Sequence, residues 1–117
     1  MLSTEQVDHY NTEGYIVVPD FLSTEQVTAF IDGMDTASAG NTLAEHDAAR
    51  MEMEPNQPAD GTQVRRLYEP CSEYELFGAF SRSQKMLDAV EALLGPDLVY
   101  HYSKINMKPA GVGSAVE

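Results

Sequence analysis

The chain has 117 residues, which limits it to one small domain at most. Its 19 acidic and 7 basic residues give a net charge of -12, which disfavours binding to nucleic acid or to anionic membranes. No stretch is apolar enough to span a membrane, and the first residues lack the features of a secretion signal. Cys71 is the single cysteine, so we expect a cytoplasmic protein without an internal disulfide.

One hexapeptide, Leu-Ser-Thr-Glu-Gln-Val, occurs at residues 2–7 and again at 22–27, and both copies predict helix starts. Serine followed three residues later by glutamine has the spacing of a capping box, in which each side chain bonds the other residue's free backbone N–H. We predict a first helix over about 4–13, ended by Gly14, and a second helix that starts at Ser23 and ends near Ser38. The apolar face predicted for the second helix consists of Val27, Phe30, Ile31 and Met34.

Three segments have the composition of β-strands. Tyr15–Val18 is rich in β-branched residues and predicts a short buried strand, and Val64–Tyr68 predicts a second strand. Regular alternation in the second strand would place the adjacent Arg65 and Arg66 on opposite faces, with one of them inward. The third and longest predicted strand is Leu98–Lys108.

Residues 39–63 predict an irregular loop, with a helical turn or two between Leu43 and Met53. His46 and several acidic residues in this loop are compatible with a metal site. A lone histidine in a charge-rich loop more often indicates a solvated surface, which is the interpretation we prefer. The acidic residues are Glu45, Asp47, Glu52 and Glu54.

Two further helices are predicted between the second and third strands. Ser72 is placed to cap a short helix, and Ser81 to begin a longer one that Gly95 and Pro96 close. The short helix would carry Tyr74, Phe77 and Phe80, and the longer one would bury Met86, Leu87, Val90, Leu93 and Leu94.

The third predicted strand has two different faces, because side chains alternate along a strand. Its mostly apolar face would contain Val99, His101, Ser103, Ile105 and Met107. Its polar face would contain Tyr100, Tyr102, Lys104, Asn106 and Lys108. Such a polar face either contacts solvent, as in an ordinary antiparallel sheet, or lines a site that binds an anion. The alternation alone leaves both interpretations open.

The order of these segments resembles the N-terminal part of the phytanoyl-CoA dioxygenase family, which includes the ectoine hydroxylases. The resemblance depends on five segments in sequence, of which the last two weigh most: 13–18, 21–23, 65–66, 94–96 and 103–109. It implies an α+β fold in which residues 1–117 form the N-terminal helices and first strands of one double-stranded β-helix (jelly-roll or cupin-like) domain. The barrel would be incomplete in this chain.

The resemblance also implies a function and a set of site residues. The complete enzyme would use Fe(II) and 2-oxoglutarate to hydroxylate a small molecule. Lys104 and Asn106 would contact 2-oxoglutarate, Arg66 would reach the same co-substrate, and Tyr102 would border the substrate. Two simpler interpretations remain open, in which Lys104 is a surface charge and Arg66 pairs with Glu69 or Glu73.

The iron ligands of such enzymes include a His-x-Asp pair, which we expect to lie beyond Glu117. No residue of this chain is therefore assigned as a metal ligand or a catalytic group, and neither cofactor is expected to bind the chain tightly. We predict an inactive fragment of a dioxygenase, whose open sheet edge favours self-association. The alternative is a small acidic binding or interaction module without catalytic activity.

Overall fold

The computed structural model describes residues 1–113, which contain α-helices and one three-stranded antiparallel sheet, in agreement with the predicted α+β class. The strands lie in the order β1-β2-β3, so β2 is central in the described sheet. The helices are α1 (Thr4–Glu13), α2 (Thr24–Ser38), α3 (Pro70–Glu73), α4 (Glu75–Ser81) and α5 (Gln84–Leu94). The strands are β1 (Met51–Met53), β2 (Val64–Tyr68) and β3 (Lys104–Asn106).

Both predicted capping boxes are present. At the start of α1, the Gln6 N–H donates to Ser3 Oγ at 3.2 Å and the Ser3 N–H donates to Gln6 Oε1 at 2.9 Å. The same reciprocal pair joins Ser23 and Gln26 at the start of α2. Gly14 ends α1 with a φ of 82°, a left-handed conformation that glycine adopts without a Cβ clash. The predicted limits of α1 and α2 are confirmed.

Two of the predicted strands differ from the structure. Tyr15–Val18 forms no strand, and the side chain of Val17 is 73% exposed. The third strand is limited to Lys104–Asn106, and Val99 is 88% exposed. An apolar segment becomes a strand only where a neighbouring strand completes its backbone hydrogen bonds. Residues 1–113 place no strand beside Tyr15–Val18 or beside the part of the third segment that precedes Ser103.

The prediction of an irregular loop over residues 39–63 is wrong in its middle. Met51–Met53 forms β1 and pairs with β2, and there is no helical turn at this strand. A three-residue strand is too short to display a sequence period, and acidic residues on both sides of Met53 conceal its burial. Sequence reasoning therefore missed an edge strand of the sheet.

A β-bulge in β2 changes which residues face the core. Glu52 pairs with Arg66 and Met53 pairs with Val64, so Arg65 is the extra residue on β2. Val64 and Leu67 are both buried although they are three positions apart, which regular alternation would forbid. The bulge thus gives β2 a continuous apolar face.

The main core lies between this apolar face and α2. Leu67 is fully buried and pairs in register with Met51 on one side and Ile105 on the other. The inward placement predicted for Ile105 and Met107 is confirmed, since both pack against this cluster. The remaining members of the cluster and its packing partners are Met53, Val64, Met34, Ala37 and Leu43.

A second, aromatic cluster joins α2 to α4. The Phe30 ring stacks on Phe77 with centroids 5.5 Å apart and meets Phe80 edge-on at 5.1 Å. Gly33 allows α4 to approach closely, because a Cβ there would lie 2.6 Å from Leu76 Cδ2. The predicted inward placement of Val27 and Ile31 is wrong, since both are exposed, and Phe30 and Met34 face inward as predicted.

The helices after β2 match the prediction only in part. Ser72 lies inside α3 rather than at a cap, and α5 is capped by Ser83 instead of beginning at Ser81. Met86, Val90 and Leu93 are half-buried on α5, in agreement with the predicted apolar face. Leu87 and Leu94 are exposed, in disagreement with it.

Candidate functional site

The face of the sheet opposite the core is polar. Glu52, Arg66 and Asn106 lie directly across from one another on the three strands, and Tyr68 lies opposite Lys104. Directly opposed residues of antiparallel strands project from the same face, so these five side chains share one surface. The structure therefore brings together three of the residues singled out from the sequence: Arg66, Lys104 and Asn106.

Glu52 is the centre of the contacts on this face. Its Oε1 atom lies 3.0 Å from Arg65 Nη1, and its Oε2 atom lies 2.8 Å from Arg66 Nε. The Tyr68 hydroxyl donates a hydrogen bond of 3.2 Å to the same Oε2 atom. One carboxylate thus joins two guanidinium groups and a phenol on neighbouring strands.

These contacts correct three expectations. Arg65 and Arg66 do not diverge, because the bulge lets both reach Glu52, and their side chains are only 14% and 16% exposed. Arg66 pairs with Glu52 rather than with Glu69 or Glu73. Glu52 is half-buried and ion-paired rather than part of a solvated loop.

Tyr68 has an altered acidity on this face. Burial and the carboxylate of Glu52 raise the pKa of the Tyr68 phenol above its ordinary value of 10.0. The Tyr102 phenol also raises this pKa, and the Arg66 guanidinium opposes the rise. Tyr102 is exposed and precedes β3, so it borders the polar face at the Tyr68 end.

The polar face carries a local positive charge. Lys104 is half-buried and forms no ion pair with any carboxylate in residues 1–113. As a diagonal neighbour of Arg66 across β2 and β3, it lies about 7–8 Å away, close enough for one small anion to contact both. Arg65, Arg66 and Lys104 thus bring three cationic side chains together around Glu52, in a chain whose net charge is -12.

A hydrogen-bonded junction connects the end of β2 to the segment before β3. The Glu69 N–H donates to the Ser103 carbonyl at 3.0 Å, and the Cys71 N–H donates to Ser103 Oγ at 3.1 Å. The Tyr100 hydroxyl donates to Glu69 Oε2 at 2.8 Å. Glu69 has a φ of 51°, an uncommon conformation for a residue with a side chain. This junction fixes the chain immediately before Lys104.

Sequence reasoning missed Glu52, Glu69 and Ser103 as parts of the site. The sequence predicts a solvated loop around Glu52, and only the pairing of β1 with β2 shows the position of this residue. No pattern in the neighbouring sequence marks Glu69 or Ser103, because their contact joins residues far apart in the chain.

No group of three His, Cys, Asp or Glu side chains within residues 1–113 is arranged to hold a metal ion. In particular, His46 Nδ1 lies 3.1 Å from the carbonyl oxygens of both Thr42 and Leu43. The described residues therefore do not fit an iron centre, whereas the cationic face fits a carboxylate or another small anion. The part of the glycine-rich segment after residue 113 lies outside the described residues.

Comparison with known proteins identifies the family. The model of the phytanoyl-CoA dioxygenase (PhyH) family matches residues 10–117, and the chain therefore belongs to this family. The resemblance seen in the ordered segments of the sequence is confirmed.

Two relatives illustrate the range of the matches. A probable alpha-ketoglutarate-dependent hypophosphite dioxygenase of Stutzerimonas stutzeri is 27% identical over 105 residues, which are 90% of this chain and 37% of that protein. The ectoine dioxygenase of Sphingopyxis alaskensis is 27% identical over 112 residues, which are 96% of this chain and 35% of that protein. The chain thus spans little more than a third of the length of these relatives.

Two solved structures share the fold. EctD from S. alaskensis with bound Fe aligns with a TM-score of 0.75 at 24% identity, over 92% of this chain and 36% of that one. EctD with 2-oxoglutarate and 5-hydroxyectoine aligns with a TM-score of 0.67 at 28% identity, over the same shares of the two chains. The described helices and open sheet therefore correspond to part of a larger fold. Among the residues described here, none of the helices has the length and apolarity needed to cross a membrane.

Proposed function

We propose that these 117 residues are the N-terminal part of a non-haem Fe(II)- and 2-oxoglutarate-dependent dioxygenase that hydroxylates a small molecule. In this proposal Lys104, Asn106 and Arg66 contact 2-oxoglutarate, and Tyr102 borders the substrate. The observation that carries the proposal is the concentration of three cationic side chains on one sheet face of a strongly acidic chain.

The chemistry of the face suits a dicarboxylate. Arg66 offers a planar fork of N–H donors, which matches the geometry of a carboxylate, and Lys104 offers a point charge. Asn106 adds an amide donor directly opposite Arg66. The positive charges of Arg66 and Lys104 would attract the two negative charges of 2-oxoglutarate.

The role proposed for iron rests on the membership of the chain in this family and not on any of the described residues. When bound, iron together with 2-oxoglutarate activates O2 for hydroxylation of a C–H bond. The described residues offer no set of iron ligands, so we propose that these ligands lie beyond this chain and that the chain alone is inactive. The contribution of the described residues is to bind and orient the co-substrate. The cytoplasmic location is part of the same proposal.

The test uses the full-length protein, meaning the product of the whole open reading frame in which these residues lie. We expect saturable binding of 2-oxoglutarate by calorimetry, and conversion of 2-oxoglutarate to succinate that depends on Fe(II) and on a hydroxylatable substrate. Ectoine and hypophosphite are the first substrates to try, because they are named for two relatives. Absence of 2-oxoglutarate binding to a folded full-length protein would refute the assignment of the face.

The alternative of a small acidic interaction module makes a different prediction about the gene. A reading frame that continues into a His-x-Asp motif supports the dioxygenase. A stop codon after Glu117 in several independent isolates would favour the module and remove the basis for catalysis.

A further inference from the structure

We infer that Glu52 is a positioning residue for the cationic face: it holds Arg66 so that the terminal nitrogens of this guanidinium are presented to an incoming carboxylate. The inference rests on the proposed function and adds a residue to it. Glu52 would not contact the co-substrate itself. It would act through the orientation of the arginine.

The geometry of the Arg66 ion pair carries the inference. Glu52 Oε2 approaches Arg66 at Nε, 2.8 Å away, and not at the two Nη atoms. Arg66 Nε is buried, and its contact with Glu52 is a short ion pair without the alignment of a hydrogen bond. The ion pairs within residues 1–113 engage Arg66 at Nε and at neither Nη atom, although the side chain is only 16% exposed. A guanidinium held at one side has its outer N–H donors free for a bidentate carboxylate contact.

The position of Glu52 explains why it can orient an arginine. It lies on β1 between Met51 and Met53, whose side chains are buried in the main core on the other side of the sheet. Its other oxygen is engaged by Arg65, and Tyr68 donates to the same oxygen that Arg66 approaches. A carboxylate on a strand with three partners has little freedom to move. Restricting Arg66 before binding reduces the conformational entropy that the ligand would otherwise have to overcome.

A competing role for Glu52 predicts the opposite change in the affinity for 2-oxoglutarate when this residue is neutralised. If its negative charge merely repelled a dicarboxylate or occupied the place of one, then neutralising it would strengthen binding of 2-oxoglutarate. If Glu52 positions Arg66, neutralising it weakens binding even though the face becomes more positive. The direction of the change in affinity therefore distinguishes the two roles.

The experiment compares full-length wild type with Glu52→Gln, which is nearly isosteric. The first readout is the nitrogen-15 spectrum of the arginine Nε–H groups without ligand, in which we expect a changed chemical shift for Arg66, because the charge 2.8 Å from its Nε is removed. The second is calorimetric titration with 2-oxoglutarate, in which we expect affinity to fall about tenfold, the loss typical of one charge-assisted contact. Equal or tighter binding would overturn the inference.

The matched control is Glu75→Gln. It removes the same charge from another ion pair, since Glu75 Oε1 lies 3.6 Å from Arg82 Nη2, and it lies on α4, which packs against α2 on the core side of the sheet. We expect unchanged affinity for this variant. A fall equal to that of Glu52→Gln would show a general effect of lost charge and would contradict positioning.

Two further comparisons keep the outcome decisive. If Glu52→Gln fails to fold, Glu52→Asp retains the charge and shortens its reach, and unchanged affinity in that variant would also overturn the inference. If wild type binds no 2-oxoglutarate, the proposed function fails separately. In that case, an unaltered Nε–H chemical shift of Arg66 in the variant would refute the contact on which positioning depends.

Discussion

Asn106 lies directly opposite Arg66 in the antiparallel pairing of β2 with β3. Beside this pair the Met107 N–H donates to the Arg65 carbonyl at 2.7 Å, so the two strands are held together at the level of the polar face. The amide of Asn106 and the guanidinium of Arg66 come from distant parts of the chain. Their proximity depends on the backbone pairing, and changes on either strand will therefore affect the same surface.

Lys104→Ala in the full-length protein should weaken 2-oxoglutarate binding without unfolding the protein. Loss of a charge-assisted contact has a typical cost of about 1–3 kcal/mol, and calorimetry or the co-substrate KM would measure it. Lys108→Ala is the matched control, since Lys108 is exposed and lines a groove beside Met34 and Val64 rather than the polar face. Unchanged affinity in Lys104→Ala would return this lysine to the role of a surface charge.

The sequence predicts those parts of the site that depend on regular alternation. Lys104 and Asn106 share a face because β3 is regular, and Ile105 points to the core for the same reason. The contacts of Arg66 are not predictable in this way, because they depend on the bulge at Arg65 and on a short strand without a sequence period. The two capping boxes are predictable because each is formed by residues three positions apart.

Leu67→Ala should reduce the free energy of unfolding by about 2–5 kcal/mol, the range for a large-to-small change at a buried leucine. Leu67 is fully buried at the centre of β2, between Met51 and Ile105. Urea unfolding of the full-length protein, followed by circular dichroism, would measure the change. Leu94→Ala is the control, because Leu94 is 64% exposed on α5 and its truncation creates no cavity. Equal losses in the two variants would contradict the assignment of the core.

Alkaline pH should destabilise the polar face through Tyr68. Burial and Glu52 raise the pKa of this phenol in the folded state above 10.0, so the folded protein retains the proton more strongly than the unfolded chain. The contribution to stability is fully present below about pH 10 and is lost as the pH rises through the folded-state pKa. The ultraviolet absorbance of tyrosinate would follow the titration.

The matching variant for this titration is Tyr68→Phe. It should remove the late component of the titration and make the stability less dependent on pH in the alkaline range. If the group lost in this variant titrates together with the other tyrosines of the wild type, and the late component remains, then the pKa of the Tyr68 phenol is not raised.

The 117-residue chain on its own should associate or remain loosely packed. Its radius of gyration is 16.7 Å, compared with about 13 Å expected for a compact domain of this length. β3 forms an edge of the described sheet, and an exposed edge tends to pair with another chain. Size-exclusion chromatography with hydrogen exchange would test this. A monodisperse monomer with strongly protected amides from Val99 to Asn106 would contradict the prediction.

The bulge at Arg65 lets β2 carry an additional cation without disturbing its apolar side. If this residue were deleted, Val64 and Leu67 would lie two positions apart, and regular alternation would keep both of them in the core. If the strand kept its present number of residues and lost the bulge, Val64 would turn to the charged side of the sheet. The bulge therefore acts as an insertion that adds a second guanidinium beside Glu52 while the interior side chains keep their places.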